Sequence, residues 1–220
     1  MKGVLPMIEL PFSITLLGIT SALILLGLGQ RVLDRMRMTT QTAVFLLVLM
    51  IFSHFLPVIT LSSHASIDLG ALIPLGVVVY LLVTTSSNEA WRAITVSVLT
   101  TAIVLLTDKL LPVEPGTWYI IDPVAIGGIS AGIFSYMISR SRRSAFIGGI
   151  LGVFLADLWA MIQLYLEGIP QDIVIGSGGV FSSMTISPII AVLVAEGIGE
   201  IRERIHKGPA LIRRDGDDIE

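Results

Sequence analysis

Seven apolar runs of seventeen to twenty-three residues, joined by short polar connections, leave this chain little choice of fold. They are Phe12–Gly29, Ala43–Leu61, Leu69–Thr85, Trp91–Leu111, Trp118–Ser139, Ala145–Glu167 and Gly179–Gly199. Each is close to the roughly 20 residues an α-helix needs to cross a hydrocarbon core about 30 Å thick. A soluble domain must cover its surface with polar groups. Only 14% of these residues are charged, against about 25% in an ordinary soluble domain. Lipid is therefore the solvent for most of the outside. The expectation is an all-α, polytopic transmembrane helix bundle of about seven spans over residues 1–200, with a short charged cytoplasmic tail at 201–220.

The basic residues test the count. Arg31, Arg35 and Arg37 follow the first run, Arg92 the third, and Arg140, Arg142 and Arg143 the fifth. Arg202, Arg204, Lys207, Arg213 and Arg214 follow the seventh. Twelve of the fourteen Lys and Arg thus fall on one side of a seven-span chain, leaving Lys2 and Lys109 on the other. The positive-inside rule then predicts the N-terminus outside and the C-terminus in the cytoplasm of a cell membrane. The three arginines after the first run favour a retained anchor over a cleaved signal peptide, and no Ala-x-Ala site follows it. A net charge of −3 without a basic stripe argues against nucleic acid as a partner. The absence of cysteine excludes disulfides and thiolate metal sites, and no metal or cofactor is expected.

A charge at mid-membrane costs about 2.5–3.5 kcal/mol on insertion scales, so one placed there has a reason. Asp157 lies deep in the sixth run, too far from either end to reach the headgroups, and must face the bundle interior or a wet cavity. Gly149, Gly152, Ala156 and Ala160 recur beside it at helical spacing and would let another helix approach closely. Folding the fifth and sixth runs into a hairpin sets Asp157 opposite Ile126–Gly128, where Gly128/Gly132 and Gly148/Gly152 each form a GxxxG pair. At similar depth come His54 inside the second run, Pro74 inside the third, Asp68 and Asp122 at the openings of the third and fifth, and Ser182, Ser183, Thr185, Ser187 and Pro188 in the seventh. This common depth points to one polar site in the outer half of the bundle.

Each residue also has a plainer reading. Asp122-Pro123 is a good N-cap with a first-turn proline, and Asp68 can cap as well. His54 can be a buried, hydrogen-bonded histidine, and Asp108 beside Lys109 an interfacial pair. If Asp68 caps the third span, Pro74 is expected to kink or break it. Gly178 and Gly179, in Ile175-Gly-Ser-Gly-Gly-Val-Phe-Ser182, form a glycine-rich turn whose N–H groups could hold an anionic group or polarise a carbonyl. The alternative for that turn is a loop re-entering between two helices.

Asp68-Leu-Gly-Ala-Leu-Ile-Pro74 followed by Tyr80-Leu-Leu, Gly-Val-Phe-Leu-Ala-Asp157-Leu, and Ile-Gly-Ser-Gly-Gly-Val-Phe-Ser182 together resemble the signature blocks of a prokaryotic membrane family, domain of unknown function 1614. The resemblance runs from about Ser53 to Glu200. It implies a multi-pass membrane protein and supplies no activity. Ser182 stands where the family usually has Asp, which weakens any mechanism that needs an acid there.

Three functions follow from the residues. A transporter or permease would bind a proton, a small cation or a small solute at Asp157 and Asp68. An intramembrane aspartyl peptidase would pair Asp157 with Asp68 or Asp122, although the Tyr-Asp and Gly-x-Gly-Asp signatures of presenilin-like enzymes are absent. A non-catalytic membrane scaffold would use the same groups to fix helix packing.

Overall fold

The computed structural model describes residues 12–27, 29–62, 65–110, 123–168, 173–176 and 183–205. Its elements are α1 (Phe12–Leu25), α2 (Gln30–Met36), α3 (Thr40–Ser53), β1 (Val58–Ser62), β2 (Ala65–Asp68), a 3-10 turn (Leu69–Ala71), α4 (Leu72–Val83), α5 (Ser87–Leu110), α6 (Pro123–Ile138), α7 (Arg142–Glu167), β3 (Ile173–Ile175) and α8 (Ser183–Ile205). The fold is helical. A helical segment falls within or across each of the seven apolar runs.

Three of these helices, α5, α7 and α8, are long and apolar enough to cross a membrane. A fourth crossing results if α1 and α2 count as one broken span, bent by 95° at Gly27–Gly29. The 14 residues of α3 rise only about 21 Å, short of a hydrocarbon core. Its helix stops at Ser53, and Pro57 then keeps the chain extended. The end of the second apolar run is accordingly a strand, and the expected nineteen-residue helix is not formed.

That strand belongs to a small sheet of order β1-β2-β3 that the sequence reading did not foresee. β1 and β2 pair antiparallel with an irregularity between Thr60 and Ser62. β2 and β3 run parallel, with Ser66 opposite Val174 and Ile67 opposite Ile175. An open sheet edge is not tolerated against lipid tails. Such a sheet is tolerated at membrane depth only where protein or water covers its edges, and it lies where α3 ends and α4 begins.

Pro74 does not break the third segment. Ala71 caps α4, so Pro74 occupies its first turn, where a missing N–H removes no helical bond. His54 is likewise not inside a helix, but is the residue that closes α3.

Helices α5–α8 form a tight block, and its glycines explain the close approach. A Cβ on Gly149 would stand 2.7 Å from the Pro188 Cα, so α7 and α8 meet backbone to backbone at the proline inside α8. Gly128 and Gly132 face α8 (an added Cβ would stand 2.7 Å from Ser187 O and from Ala191 O), whereas Gly148 and Gly152 face Val96 and Thr100 of α5. The two GxxxG pairs are real contact faces, but with different partners from the hairpin expected. The α6–α7 hairpin itself meets at Gly127 and Val153, one turn from Asp157. Helices α1–α4 surround this block through larger side chains, with Leu17, Leu47, Met50, Leu81 and Ile150 in a shared core.

Candidate functional site

Asp68 ends β2 and caps the 3-10 turn, its Oδ1 accepting the Gly70 N–H at 2.7 Å. Gly70 is required there: a Cβ would run into the Ser53 carbonyl oxygen and come within 2.9 Å of Asp68 Oδ1. The start of the α4 segment thus sits directly on the end of α3. His54 is next to that contact, with Nδ1 3.0 Å from Met50 O and 3.5 Å from Ser53 Oγ.

Asp157 comes to the same place from α7. Its Oδ2 accepts the Gly176 N–H at 3.3 Å. Gly176 follows β3 with φ +96°, and its Cβ position lies 3.6 Å from Asp68 Cβ and against Ala71. A side chain at 176 would collide with Ala71, so only glycine lets the β3 turn fit between the two acids. One residue's N-to-Cβ reach, about 2.5 Å, added to these contacts puts the Asp157 carboxylate within about 10 Å of Asp68. The parallel β2–β3 pairing is what delivers Gly176 to Asp68.

The structure thus brings together Asp68, Asp157 and the α3 end that carries His54, and Asp157 is partly exposed rather than sealed in apolar packing. Ser183 opens α8. Asp122, Ser182, Gly178 and Gly179 lie outside the described residues, as does the capping expected of Asp122, although α6 does begin at Pro123. Farther into the bundle, the hydroxyls of Thr100, Thr185 and Ser187 are buried and have no hydrogen-bond partner. Among the described residues no three His, Asp or Glu side chains converge as metal ligands do.

The sequence reading missed a second polar centre, at the opposite end of α7. Arg142, expected in a solvated loop, is 3% exposed; its Nε donates to Glu196 Oε2 at 2.7 Å. Glu196 also lies 3.6 Å from Arg35, which donates to Glu203 at 2.6 Å. Arg143, 4% exposed, donates to Thr84 Oγ1 and to Met36 O, the latter at 3.5 Å. Glu89 accepts from Ser141 and Thr85 and lies 3.8 Å from Arg37. The sequence places Glu89 three residues before Arg92 and Glu196 six before Arg202, but spacing alone does not pair either acid with a residue of the Arg140–Arg143 turn on another helix.

A bundle of apolar helices, three of them of spanning length, with its polar side chains gathered at two interior centres, defines an α-helical membrane protein. The family model "Protein of unknown function (DUF1614)" matches residues 30–194, three quarters of the chain, and the protein belongs to that family. No curated protein and no solved structure shows significant similarity to it.

Proposed function

We propose that the protein is a transporter of the permease type, which binds a proton or small cation at Asp157 and Asp68. The observation that carries this reading is the meeting of both acids at Gly176. An acid inside a bundle is costly unless its charge has a use. The Gly176 and Gly70 amides donate to Asp157 and Asp68 and so orient both carboxylates. A nearby positive charge or a bound proton is favoured by two carboxylates held in one region. The same proposal takes α1–α8 as seven passages of a prokaryotic cell membrane, with the short helices completed by strands and turns. It places the N-terminus outside, the aspartate end toward the exterior, and the tail from residue 201 in the cytoplasm.

One observation favours a scaffold instead: a carboxylate that bonds a glycine amide can simply latch a loop. The peptidase reading needs the two carboxylates in direct hydrogen-bonding reach and sharing a proton. Vesicles holding the purified protein and a pH-sensitive dye, tested also for uptake of radioactive sodium, separate the three. Transport predicts proton or sodium flux above that of empty vesicles, abolished in Asp157→Asn while the melting temperature holds. Flux indistinguishable from empty vesicles contradicts it. A melting temperature that falls with no flux to lose supports the scaffold, and cleavage of a transmembrane peptide that Asp157→Asn stops supports the peptidase.

A further inference from the structure

The turn between α1 and α2 covers a cavity. Gly27, at φ +81°, and Gly29 turn α2 by 95° from α1, so α2 crosses the end of the bundle with Leu33 and Met36 pointing inward. Below it lies a space of about 240 Å³ walled by Leu33, Met36, Ala43, Leu47, Phe146 and Val192 among others. Thr20 is the one lining residue with a polar side chain, and its hydroxyl is already bonded to Leu16 O at 2.7 Å. Water has no partners in such a space, and leaving it empty forfeits contacts from every wall. Leu23 and Leu193, both lining residues, are 43% and 63% exposed, so the cavity opens sideways to lipid.

Its upper rim is cationic. Met36 and Met38 line the cavity, and Arg37 between them is 74% exposed, with Glu89 at 3.8 Å. Met36 O accepts from Arg143, whose Nε is buried without a hydrogen-bond partner. Among the described residues at this end nine arginines, carried by α2 and Arg37, the start of α5, the α6–α7 turn and the end of α8, stand against five acids, Asp34, Glu89, Glu196, Glu200 and Glu203, an excess of positive charge. An apolar slot open to the bilayer beneath surplus guanidinium groups matches a molecule with a hydrocarbon chain and an anionic head.

We propose that this cavity is a binding site for an anionic phospholipid, with one acyl chain in the slot under α2 and the phosphodiester at the exposed Arg37. The site is independent of Asp157 and of the transport reading. The full chain, stripped of lipid in detergent, would be titrated with phosphatidylglycerol and with phosphatidylcholine of the same chains, and bound lipid read by native mass spectrometry. Phosphatidylglycerol should bind about fivefold or more tightly, since an arginine near anionic lipid contributes about 1 kcal/mol. Arg37→Gln, at an exposed position, should remove most of that preference. Ala43→Phe, which fills the slot, should weaken both lipids alike; Leu193→Trp, at the mouth, serves the same purpose should the first variant not fold. Equal binding of the two lipids by the native chain overturns the proposal. So does binding untouched by the slot-filling change, or displacement by glycerol phosphate at the concentration of the lipid itself, which would mean that the head alone is bound.

Discussion

At one end of α7, Arg142 and Glu196 meet side chain to side chain at 2.7 Å, with Arg35 3.6 Å from the same carboxylate. Fifteen residues along the same helix, Asp157 meets a glycine amide at 3.3 Å, and the neighbouring Asp68 meets another at 2.7 Å. At the first end each partly buried acid is paired with an arginine, and further guanidinium groups remain. At the second, two like charges are brought together by the backbone. Buried ion pairs fix geometry, and breaking one costs more than it gained on forming, because the remaining charge is stranded. The arginine end is thus fixed by ion pairs between helices, whereas backbone amides orient the acids at the other end. Under the proposed function, exchange of a ligand belongs to the aspartate end.

The largest expected effect tests the structural half. Arg142→Ala leaves Glu196 only the longer Arg35 contact at 3.6 Å and should cost about 3 kcal/mol in thermal or denaturant unfolding in detergent, with part recovered when Glu196→Ala is added. Gly149→Leu, pressing a side chain into the Pro188 backbone, should cost about 1–3 kcal/mol by the same measurement and would show that α7 and α8 cannot separate there. Gly176→Ala meets both a positive φ and Ala71; a loss above about 1 kcal/mol together with loss of flux would tie the β3 turn to the site. Asp68 sharpens the contrast. Asp68→Ala removes a cap and should cost about 1 kcal/mol, whereas Asp68→Asn keeps the acceptor and should leave unfolding unchanged while flux falls. The smallest effect is expected from Arg204→Ala, whose pair with Glu200 is solvent-exposed, and unfolding should not move measurably.

Much of the bundle was legible because hydrophobic length and charge placement are properties of the sequence itself. The α6–α7 hairpin and the close-contact positions of Gly149 and Gly152 followed from spacing. The short α3 was not legible, since Val58–Ser62 is as apolar as a helix end and only Pro57 marks the change. Nor was the β2–β3 pairing, which joins residues about a hundred positions apart and depends on tertiary context. Pro74 misled for a related reason: its effect depends on where the helix begins, and the 3-10 turn moved that beginning to Leu72. Arg142 and Arg143 were misread because charge alone does not tell a solvated loop from a helix start buried against an acid on another helix.

Everything assigned to the aspartate end requires that residues 68 and 157, eighty-nine positions apart in the chain, be near neighbours in the folded protein. The chain has no cysteine, so Asp68→Cys with Asp157→Cys can be treated in native membranes with bifunctional thiol reagents of graded length. Joining by a reagent of about 10 Å or less, read as an intact link between the two peptides after proteolysis, is the predicted result. If only reagents well beyond that length join the two positions, or none does while each thiol reacts singly, the two acids do not share a site.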